Sequence, residues 1–371
     1  MTPPMRPSVP CTSGISTRSS MPSTALPHSS SPHFCTHSAI LHASLIFSRR
    51  LLAVMSTLVR KPTAIVGAGA VGTAFARALA AHRIPLTAIV SRTQADAKAL
   101  ADRVQAPQAS TDVADVPART TRVLFCVPDD ALSSVAHTLA ETPHRTAPWI
   151  AFHPSGAHPA EVLAPLRACG ARLLSAHPLQ TIPPGTPPSA FQGIQMTIEG
   201  DAEALTYGEA LARLLGALPQ RLASADKPLY HLAAVLASNG LVALLTTAQH
   251  VWQAAGLDPD DAFAALAPLI DTTWANVQRN GPAALTGPAA RGDDATIDTH
   301  LRALRQTCTS ESLSPLLDDA SAEALYAALT ETMLRIQQSQ DRLSDDAAAR
   351  VRARLRSART PDLSGNDTAS T

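Results

Sequence analysis

The chain has 371 residues, which is long enough for two domains of about 150 residues each. Its 30 basic and 30 acidic residues give a formal net charge of zero, which argues against nucleic acid or an anionic membrane as the main partner. The five cysteines form no CxxC pair, so the sequence argues against a disulfide framework or a zinc knuckle and fits a reducing, cytoplasmic environment.

Residues 1–58 are dominated by Ser, Thr, Pro and His and contain no Asp or Glu. Such a segment buries too little apolar surface to offset its ordering entropy, so we expect disorder there and in the polar tail, residues 358–371. Two interpretations of the first segment stay open. An acid-free segment that carries Ser and Arg resembles an organelle transit peptide. Alternatively, translation starts at Met55, which begins a compact run into the first strand.

A strand, a glycine-rich turn and a helix come next. Residues 63–66 are apolar enough for a buried strand, and a GxGxxG pattern follows: Gly67, Ala68, Gly69, Ala70, Val71 and Gly72. In this pattern the first glycine permits a tight turn, the second lets a pyrophosphate approach the backbone, and the third packs the helix against the strand. The helix N-terminus offers N–H groups and a positive dipole end to phosphates. These residues predict a dinucleotide site; the alternative is a glycine turn kept only for packing.

Apolar strands alternate with helical segments as far as residue 215. Further strands are predicted over residues 86–90, 122–127, 149–152, 172–176 and 195–198, the last of these being the final strand. Helices are predicted between them, including one that starts at Pro159 and ends before Gly170. Such alternation is typical of a doubly wound parallel sheet, so residues 60–225 are predicted to form an α/β domain.

The pattern changes after residue 226. An almost uninterrupted apolar run from Pro228 to Gly256 predicts one long helix that is apolar all round. Such a helix is expected to be buried on every side, either by neighbouring helices or in a dimer. Further helices are predicted over residues 260–280, 293–306, 321–338 and 345–357. Residues 226–357 are therefore predicted to form an all-α domain.

The end of the second strand bears on the choice of cofactor. In NAD-binding versions of this arrangement an acidic residue there bonds the ribose hydroxyls, whereas a basic residue suits a 2′-phosphate. This chain has Ser91, Arg92 and Thr93 at that place, and an arginine offers a charged fork to a phosphate. The sequence thus predicts NADP rather than NAD, unless Arg92 is merely solvated. Val127 and Pro128, at the end of another strand, are also expected to line the cofactor site.

Polar residues follow three strands at the edge where ligands of such sheets bind. They are Asp129 and Asp130, the turn His153-Pro-Ser155-Gly156, and His177 with the four residues after it. Each group directly follows an apolar strand, which favours a functional role over that of a random surface side chain. His153, Ser155 and His177 are therefore candidate catalytic residues.

The start of the long helix supplies a second set of polar residues. At 100° per residue, Lys227, His231 and Ser238 fall within about 40° of one another, and Asn239 lies further round. One interpretation is that these residues cap the helix and satisfy interhelical hydrogen bonds. The other is that they face the nicotinamide, with Lys227 or His231 as general acid to a carbonyl or imine that is being reduced.

Three blocks of the sequence together resemble one family. They are Ser155-Gly156 with His177-Pro-Leu-Gln-Thr181; Lys227-x-x-Tyr230-His231 through Ser238-Asn239; and Leu285-Thr-Gly-Pro-Ala-Ala-Arg291-Gly-Asp293 with His300-Leu301. The family is that of Rossmann-like proteins carrying the DUF2520 domain. It is similar to the superfamily of 6-phosphogluconate dehydrogenase, pyrroline-5-carboxylate reductase and ketopantoate reductase. The resemblance covers about residues 60–330. It implies an NADP-binding Rossmann domain with a doubly wound parallel sheet, an all-α C-terminal domain, and a homodimer built through the helices.

The chain departs from one branch of that superfamily. In β-hydroxyacid dehydrogenases the catalytic Lys is followed by Asn four positions on, whereas here His231 stands four positions after Lys227 and Asn239 comes later. Three roles stay open for Arg291: holding a substrate carboxylate, holding a cofactor phosphate, or pairing with Asp293.

The leading hypothesis is an NADP-dependent oxidoreductase that transfers hydride to or from a small polar, carboxylated substrate between the two domains. The candidate catalytic residues are Lys227, His231, His153, Ser155, His177 and Asn239. One alternative is a non-catalytic NADP-binding sensor or scaffold. Another is a metal-dependent hydrolase using His153, His158 and His177, but no HExxH pattern supports it, so no metal site is predicted.

Overall fold

The computed structural model describes residues 58–142, 148–307 and 319–357, and every structural statement below concerns this part of the chain. From Val59 onwards the chain forms one compact unit. The predictions of disorder for the N-terminal segment and the C-terminal tail lie outside the described residues.

An eight-stranded sheet forms the core of the first half. Its strands, in chain order, are β1 (Thr63–Val66), β2 (Leu86–Val90), β3 (Ala109–Ser110), β4 (Arg122–Phe125), β5 (Trp149–His153), β6 (Ala171–Pro178), β7 (Gln195–Gly200) and β8 (Leu218–Arg221). The spatial order is β3-β2-β1-β4-β5-β6-β7-β8. All neighbouring pairs are parallel except β6 and β7. The strand order reverses between β1 and β4, which opens a ligand-binding crevice beyond their carboxyl ends.

Helices cover the sheet. They are α1 (Ala70–Ala81), α2 (Gln94–Val104), α3 (Leu132–Ala140) and α4 (Ala202–Leu214), together with a 3₁₀ segment, Ala160–Cys169. Every residue of β1, β2, β4 and β5 is buried, as expected for strands that are covered on both faces. The 3₁₀ segment replaces the predicted α-helix because Pro165, inside it, has no N–H to donate to an α-helical ladder.

The sequence patterns missed the short strands β3 and β8 and did not show that β7 runs antiparallel to its neighbour. The prediction that residues 195–198 form the last strand is wrong, because β8 follows and pairs with β7. The β8 sequence, Leu-Pro-Gln-Arg, contains proline and has no buried residue, which is compatible only with the edge of a sheet. The sheet is mostly parallel, as predicted, but β7 runs antiparallel to β6.

The second half of the chain is all-α within the described residues, as predicted. Its helices are α5 (Lys227–Ala237), α6 (Asn239–Ala254), α7 (Ala262–Asn280), α8 (Pro288–Arg291), α9 (Asp294–Thr307), α10 (Asp319–Gln338) and α11 (Asp345–Ser357). α8 to α11 enclose a second apolar core around Ile297, Leu301, Leu334 and Val351.

The single long helix predicted from Pro228 to Gly256 is interrupted. The chain leaves helical geometry at Ser238, whose hydroxyl donates to the carbonyl of Ala234 at 2.8 Å, and the next residues are Asn239 and Gly240. Such back-bonding by Ser and a nearby glycine both favour a break. By length and composition alone, Ser224–Ala254 also meets the criteria for a membrane span, which is weak evidence for one.

The expected burial of this segment on every side by neighbouring helices is wrong. Leu229, Leu236 and Val242 are 71%, 66% and 65% exposed. Exposed apolar side chains continue onto α7. Together these residues form what we name the α5–α7 apolar face: Leu229, Leu232, Leu236, Leu241, Val242, Leu244, Phe263, Leu269 and Trp274. An exposed apolar surface of this size is unusual for a folded protein.

Candidate functional site

A cleft of about 950 Å³ lies beyond the carboxyl ends of β1, β2, β4 and β5. All predicted cofactor residues except Gly72 line it: Gly67, Ala68, Gly69, Ala70, Val71, Ser91, Arg92, Thr93, Val127 and Pro128. The lining continues to Asp129, Pro154 and Ser155, so the cleft spans the point where the strand order reverses. This is where open α/β sheets bind their ligands.

The three glycines of the motif fulfil the physical roles that the pattern predicts. Gly67 has φ +109°, and a Cβ there would lie 2.3 Å from the carbonyl oxygen of Cys126. A Cβ on Gly72 would lie 1.9 Å from the carbonyl oxygen of Gly67, so the absence of a side chain lets α1 pack against the turn. A Cβ on Gly69 would meet nothing within 4 Å, and no side chain caps α1 at this residue. The turn from Gly67 to Gly72 therefore leaves room for a pyrophosphate at the uncapped N-terminus of α1.

The residues after β2 divide into structural and available groups. The hydroxyl of Thr93 caps α2 by accepting from the backbone N–H of Asp96 at 3.2 Å, so it is already committed. The backbone N–H of Ser91 donates to the carbonyl of Ser110 at 3.1 Å. Arg92 is exposed, lines the cleft and makes no ion pair within the described residues. The Arg92 guanidinium and the Ser91 hydroxyl, neither of which has a recorded side-chain hydrogen bond in the described residues, are therefore the groups free to meet a phosphate.

His153 is completely buried, and backbone groups occupy both of its ring nitrogens. Its Nδ1 accepts from the N–H of Ser155 at 3.1 Å, which leaves Nε2 to donate to the carbonyl of Pro159 at 3.2 Å. Burial, followed by the charge of Lys227, lowers the pKa of His153 to about 3. The imidazole is therefore neutral, fixes the turn after β5, and offers no lone pair to a metal ion.

Lys227 begins α5 and is 1% exposed. Its Nζ donates to Ser175 Oγ on β6 at 2.7 Å and to the carbonyl of Ser155 at 3.1 Å. Burial lowers the pKa of Lys227 to about 8, against the opposing influence of the Glu199 and Asp129 carboxylates. The ammonium thus stays charged at neutral pH and joins the first helix of the all-α half to two strand ends.

Sequence reasoning missed two residues that support this lysine, Ser175 and Glu199. Glu199, on β7, is 4% exposed and pairs across the sheet with Ser175. Its carboxylate accepts from the N–H of Ala160 and from the hydroxyl of Ser224 at 2.6 Å, just before α5. A buried acid within the apolar strand β7 was the signal available in the sequence, because a buried carboxylate requires partners.

Two imidazoles meet on either side of Gly156. A Cβ on Gly156 would lie 2.7 Å from Nδ1 of His231 and 2.8 Å from Nε2 of His177. The other ring nitrogen of His177, Nδ1, is 2.8 Å from the hydroxyl of Tyr230. Nδ1 of His231 is buried and has no hydrogen-bond partner within the described residues. Both nitrogens therefore lie close to the Gly156 backbone, and Nδ1 of His231 is a buried polar atom of the kind that a bound group satisfies.

The environment keeps His177 neutral. Burial is the main cause, and the charges of Lys227 and His231 add to it, so the pKa of His177 falls to about 4. Burial also raises the pKa of Tyr230, with a hydrogen bond from Thr197 opposing that shift. At neutral pH the pair is a neutral imidazole and a neutral phenol, which can pass a proton between them.

The remaining candidates lie apart from this cluster. Ser238 and Asn239 interact with each other at the break between α5 and α6, and within the described residues no hydrogen bond links them to the two imidazoles. The backbone N–H of Ser238 still bonds the carbonyl of Ala234, so Ser238 keeps its place at the end of α5, but its hydroxyl is committed to Ala234 and Asn239. Asp293 accepts from the N–H and hydroxyl of Thr296 and so begins α9. It makes no ion pair with Arg291, which is exposed.

No group of three or more His, Cys, Asp or Glu side chains in the described ranges is arranged to hold a metal ion. Of the three histidines in the hydrolase alternative, His153 has both ring nitrogens occupied, and His158 stands 4.0 Å from Asp129 on the surface. The described geometry therefore favours a dinucleotide cleft with an adjacent imidazole pair.

Two family models match the chain. The Rossmann-like domain matches residues 55–178, and the domain of unknown function DUF2520 matches residues 194–333. The second match begins at the start of β7, so it includes the last two strands as well as most of the all-α half. Comparison with curated protein sequences finds no match.

Solved structures share this architecture. A protein of Bacteroides fragilis assigned as an NADP oxidoreductase is 25% identical, with a TM-score of 0.60 over 75% of this chain and 99% of that chain. A protein of Thermotoga maritima is 22% identical, with a TM-score of 0.56 over 75% of this chain and 99% of its own. A reductive aminase of Aspergillus terreus, solved with NADPH and ethyl levulinate, is 20% identical, with a TM-score of 0.53 over 79% and 99%. The last two show a shared fold. With both domain matches in the expected order, the chain belongs to the family of proteins that join a Rossmann-like domain to a DUF2520 domain.

Proposed function

We propose that this protein is an NADP-dependent oxidoreductase that reduces a carbonyl or imine of a small polar substrate. One observation carries the proposal: Ser155 lines the end of the dinucleotide cleft, and the next residue, Gly156, lies against both imidazoles. The proton-carrying groups are therefore placed one residue beyond the cleft lining. The description of the Bacteroides fragilis protein as an NADP oxidoreductase supports the same activity.

Residues of the cleft would hold the cofactor. Gly67 and Gly69 would admit the pyrophosphate, and Arg92 would bind the 2′-phosphate with a charge-assisted fork. When bound, NADPH supplies a hydride to the carbon being reduced. The chain itself must then supply one proton to the oxygen or nitrogen attached to that carbon.

His177 and Tyr230 are placed to supply that proton. We assign the Tyr230 hydroxyl as the donor to Nδ1 of His177, which places the imidazole proton on Nε2, next to Gly156. His177 gives this proton to the substrate heteroatom while Nδ1 takes the proton of Tyr230, and solvent restores Tyr230. Nδ1 of His231, on the other side of Gly156, provides a second hydrogen bond that orients the same atom.

Lys227 has a supporting role in this scheme. The residue is 1% exposed and its ammonium donates to both Ser155 and Ser175, so it fixes the start of α5 against the turn after β5 and against β6. The carboxylates of Glu199 and Asp129 act on this charge without a direct ion pair in the described part of the chain, so part of its positive potential remains to attract an anionic group. We therefore keep a carboxylated substrate as part of the proposal.

The test is oxidation of NADPH, followed by its absorbance, with a panel of 2-oxo acids, aldehydes and cyclic imines and with the methyl esters of the acids. We expect turnover with at least one substrate and a preference for the acid over its ester. Tyr230→Phe should lower kcat by about tenfold to a hundredfold, because it removes the proton that follows His177. Tyr326→Phe, which removes a hydroxyl bonded to His300 in the helical core, is the matched control and should leave kcat unchanged.

The result that contradicts the proposal is tight NADPH binding with no turnover of any panel member. That outcome is the one predicted by the alternative of an NADP-binding sensor. If the wild-type protein does not bind NADPH, both the oxidoreductase and the NADP-binding sensor are ruled out.

We further propose that two copies associate through the α5–α7 apolar face and that the protein works in a reducing, cytoplasmic setting. A membrane fits this face less well, because α5 also carries Lys227, Tyr230 and His231 into a polar site. Light scattering after gel filtration should give a dimer for the wild type and a monomer for Leu229→Glu or Val242→Glu. Leu218→Glu, on the exposed β8 edge, is the control and should remain dimeric. A wild-type monomer at micromolar concentration would refute the association.

A further inference from the structure

One charged residue of the cleft, Asp129, has neither a role in the scheme above nor a capping role. The charged side chains that line the cleft are Arg92, Asp96, Asp112 and Asp129. The first three belong to the β2–β3 end, where Asp96 bonds Thr93 and Asp112 caps the short turn at Val113–Asp115. Asp129 lies at the other end, four residues after the last residue of β4, with Nε2 of His158 4.0 Å from its Oδ2.

A hydrogen bond from Ser155 fixes the orientation of the Asp129 side chain. Its Oδ2 accepts from the hydroxyl of Ser155 at 2.9 Å, and Ser155 is in turn fixed by the N–H groups of Ala157 and His158. The Asp129 side chain remains 48% exposed, and no hydrogen bond to its Oδ1 is recorded in the described part of the chain. A carboxylate oxygen therefore faces the cleft from a position that the β5 turn determines.

The fold fixes which part of a dinucleotide would come near Asp129. The pyrophosphate binds at the Gly67–Gly72 turn, and the 2′-phosphate lies toward Arg92 at the end of β2. The nicotinamide half must then extend to the opposite side of β1, over β4 and β5. Asp129 and Ser155 are polar side chains that line this end of the cleft.

On the basis of the proposed function, we propose that Asp129 lets the cleft distinguish the two redox states of the cofactor. The oxidised nicotinamide ring carries a positive charge and the reduced ring carries none. A carboxylate aimed at the ring therefore stabilises bound NADP⁺ and contributes little to NADPH. Ser155 acts as a positioning residue, because its hydroxyl sets the direction of the Asp129 carboxylate.

The experiment measures the dissociation constants of NADP⁺ and NADPH by calorimetry on the full chain. Asp129→Asn should weaken NADP⁺ about threefold to tenfold and NADPH less than about twofold, as expected for loss of one partly solvated charge pair. Asp130→Asn is the matched control, because it removes the same charge from the adjacent exposed residue, which does not line the cleft. Raising the salt from about 0.05 M to 0.5 M should reduce the effect of Asp129→Asn.

Ser155→Ala should shift the NADP⁺ affinity in the same direction as Asp129→Asn, by a smaller factor. Equal weakening of both cofactor forms by Asp129→Asn would overturn the inference, since the carboxylate would then contact a group common to both. The same holds for an unchanged ratio, or for a matching effect of Asp130→Asn. If the wild type binds neither form, the proposed function falls together with this inference, whereas normal binding without the predicted ratio removes this inference alone.

Discussion

Acidification from pH 7 to pH 5 should destabilise the protein through His153. The imidazole is fully buried, and its two nitrogens are bonded to backbone groups of Ser155 and Pro159. A second proton would have to reside on Nδ1, where the N–H of Ser155 already points at the ring. Burial and the charge of Lys227 accordingly lower the pKa of His153 from 6.5 to about 3.

Proton linkage gives the direction and the size of this loss of stability. Between pH 6.5 and pH 3 the unfolded chain binds a proton at this histidine and the folded chain does not, so stability falls as the pH falls. From pH 7 to pH 5 the unfolded state gains ~2 kcal/mol from protonation of one histidine of ordinary pKa. The contribution is fully present above the ordinary pKa and continues to decline until the pH reaches the folded value.

The assay is urea unfolding followed by circular dichroism at pH 7, 6 and 5, a range in which most carboxylates stay ionised. His153→Gln should lower stability at pH 7 but lose about 2 kcal/mol less than the wild type between pH 7 and pH 5. His137→Gln, which replaces a histidine whose side chain is 68% exposed, should keep the full wild-type loss. The reasoning is refuted if His153→Gln and the wild type lose the same free energy of unfolding over this range.

Three further predictions concern the site. Gly156→Ala places a methyl group between the two imidazoles without requiring an unusual φ, so turnover should fall by about tenfold or more while the NADPH dissociation constant stays within about twofold. Gly240→Ala, whose Cβ would make only an ordinary contact at 3.6 Å, is the control. Arg92→Ala should weaken NADPH about tenfold and leave NADH unchanged in direct titrations; an unchanged NADPH constant would remove the argument for a 2′-phosphate contact. Lys227→Met should raise the pKa of His177 toward its ordinary value in ¹⁵N NMR titrations, and an unmoved titration would show that the lysine charge does not reach the imidazole.

The local features of the chain could be predicted from the sequence because local rules determine them. The GxGxxG turn depends on backbone conformation and close approach within a few residues, and the structure gives Gly67 and Gly72 these roles. The buried strands were evident because their apolar runs must be covered on both faces. Family resemblance, based on short blocks in a fixed order, likewise gave the Rossmann-like and DUF2520 families, which the family matches confirm.

The arrangement of the site depended on the tertiary structure. No spacing in the sequence shows that Gly156 would separate His177 from His231, or that Lys227 would turn beneath the strand ends. These contacts join residues of β5, β6 and α5 that are far apart in the chain, and side-chain direction at such crossings depends on packing. The break in the helix at Ser238 was likewise not evident from the sequence.

The apolar run after Pro228 shows most clearly which properties the sequence determines and which the tertiary structure determines. Its composition determined that it would be helical and that its surface needs to be covered. Only the folded chain decided that its own helices leave Leu229, Leu236 and Val242 exposed. The physical reason is that hydrophobicity is a property of each side chain, whereas burial depends on which surfaces the rest of the fold, or a second molecule, brings against it.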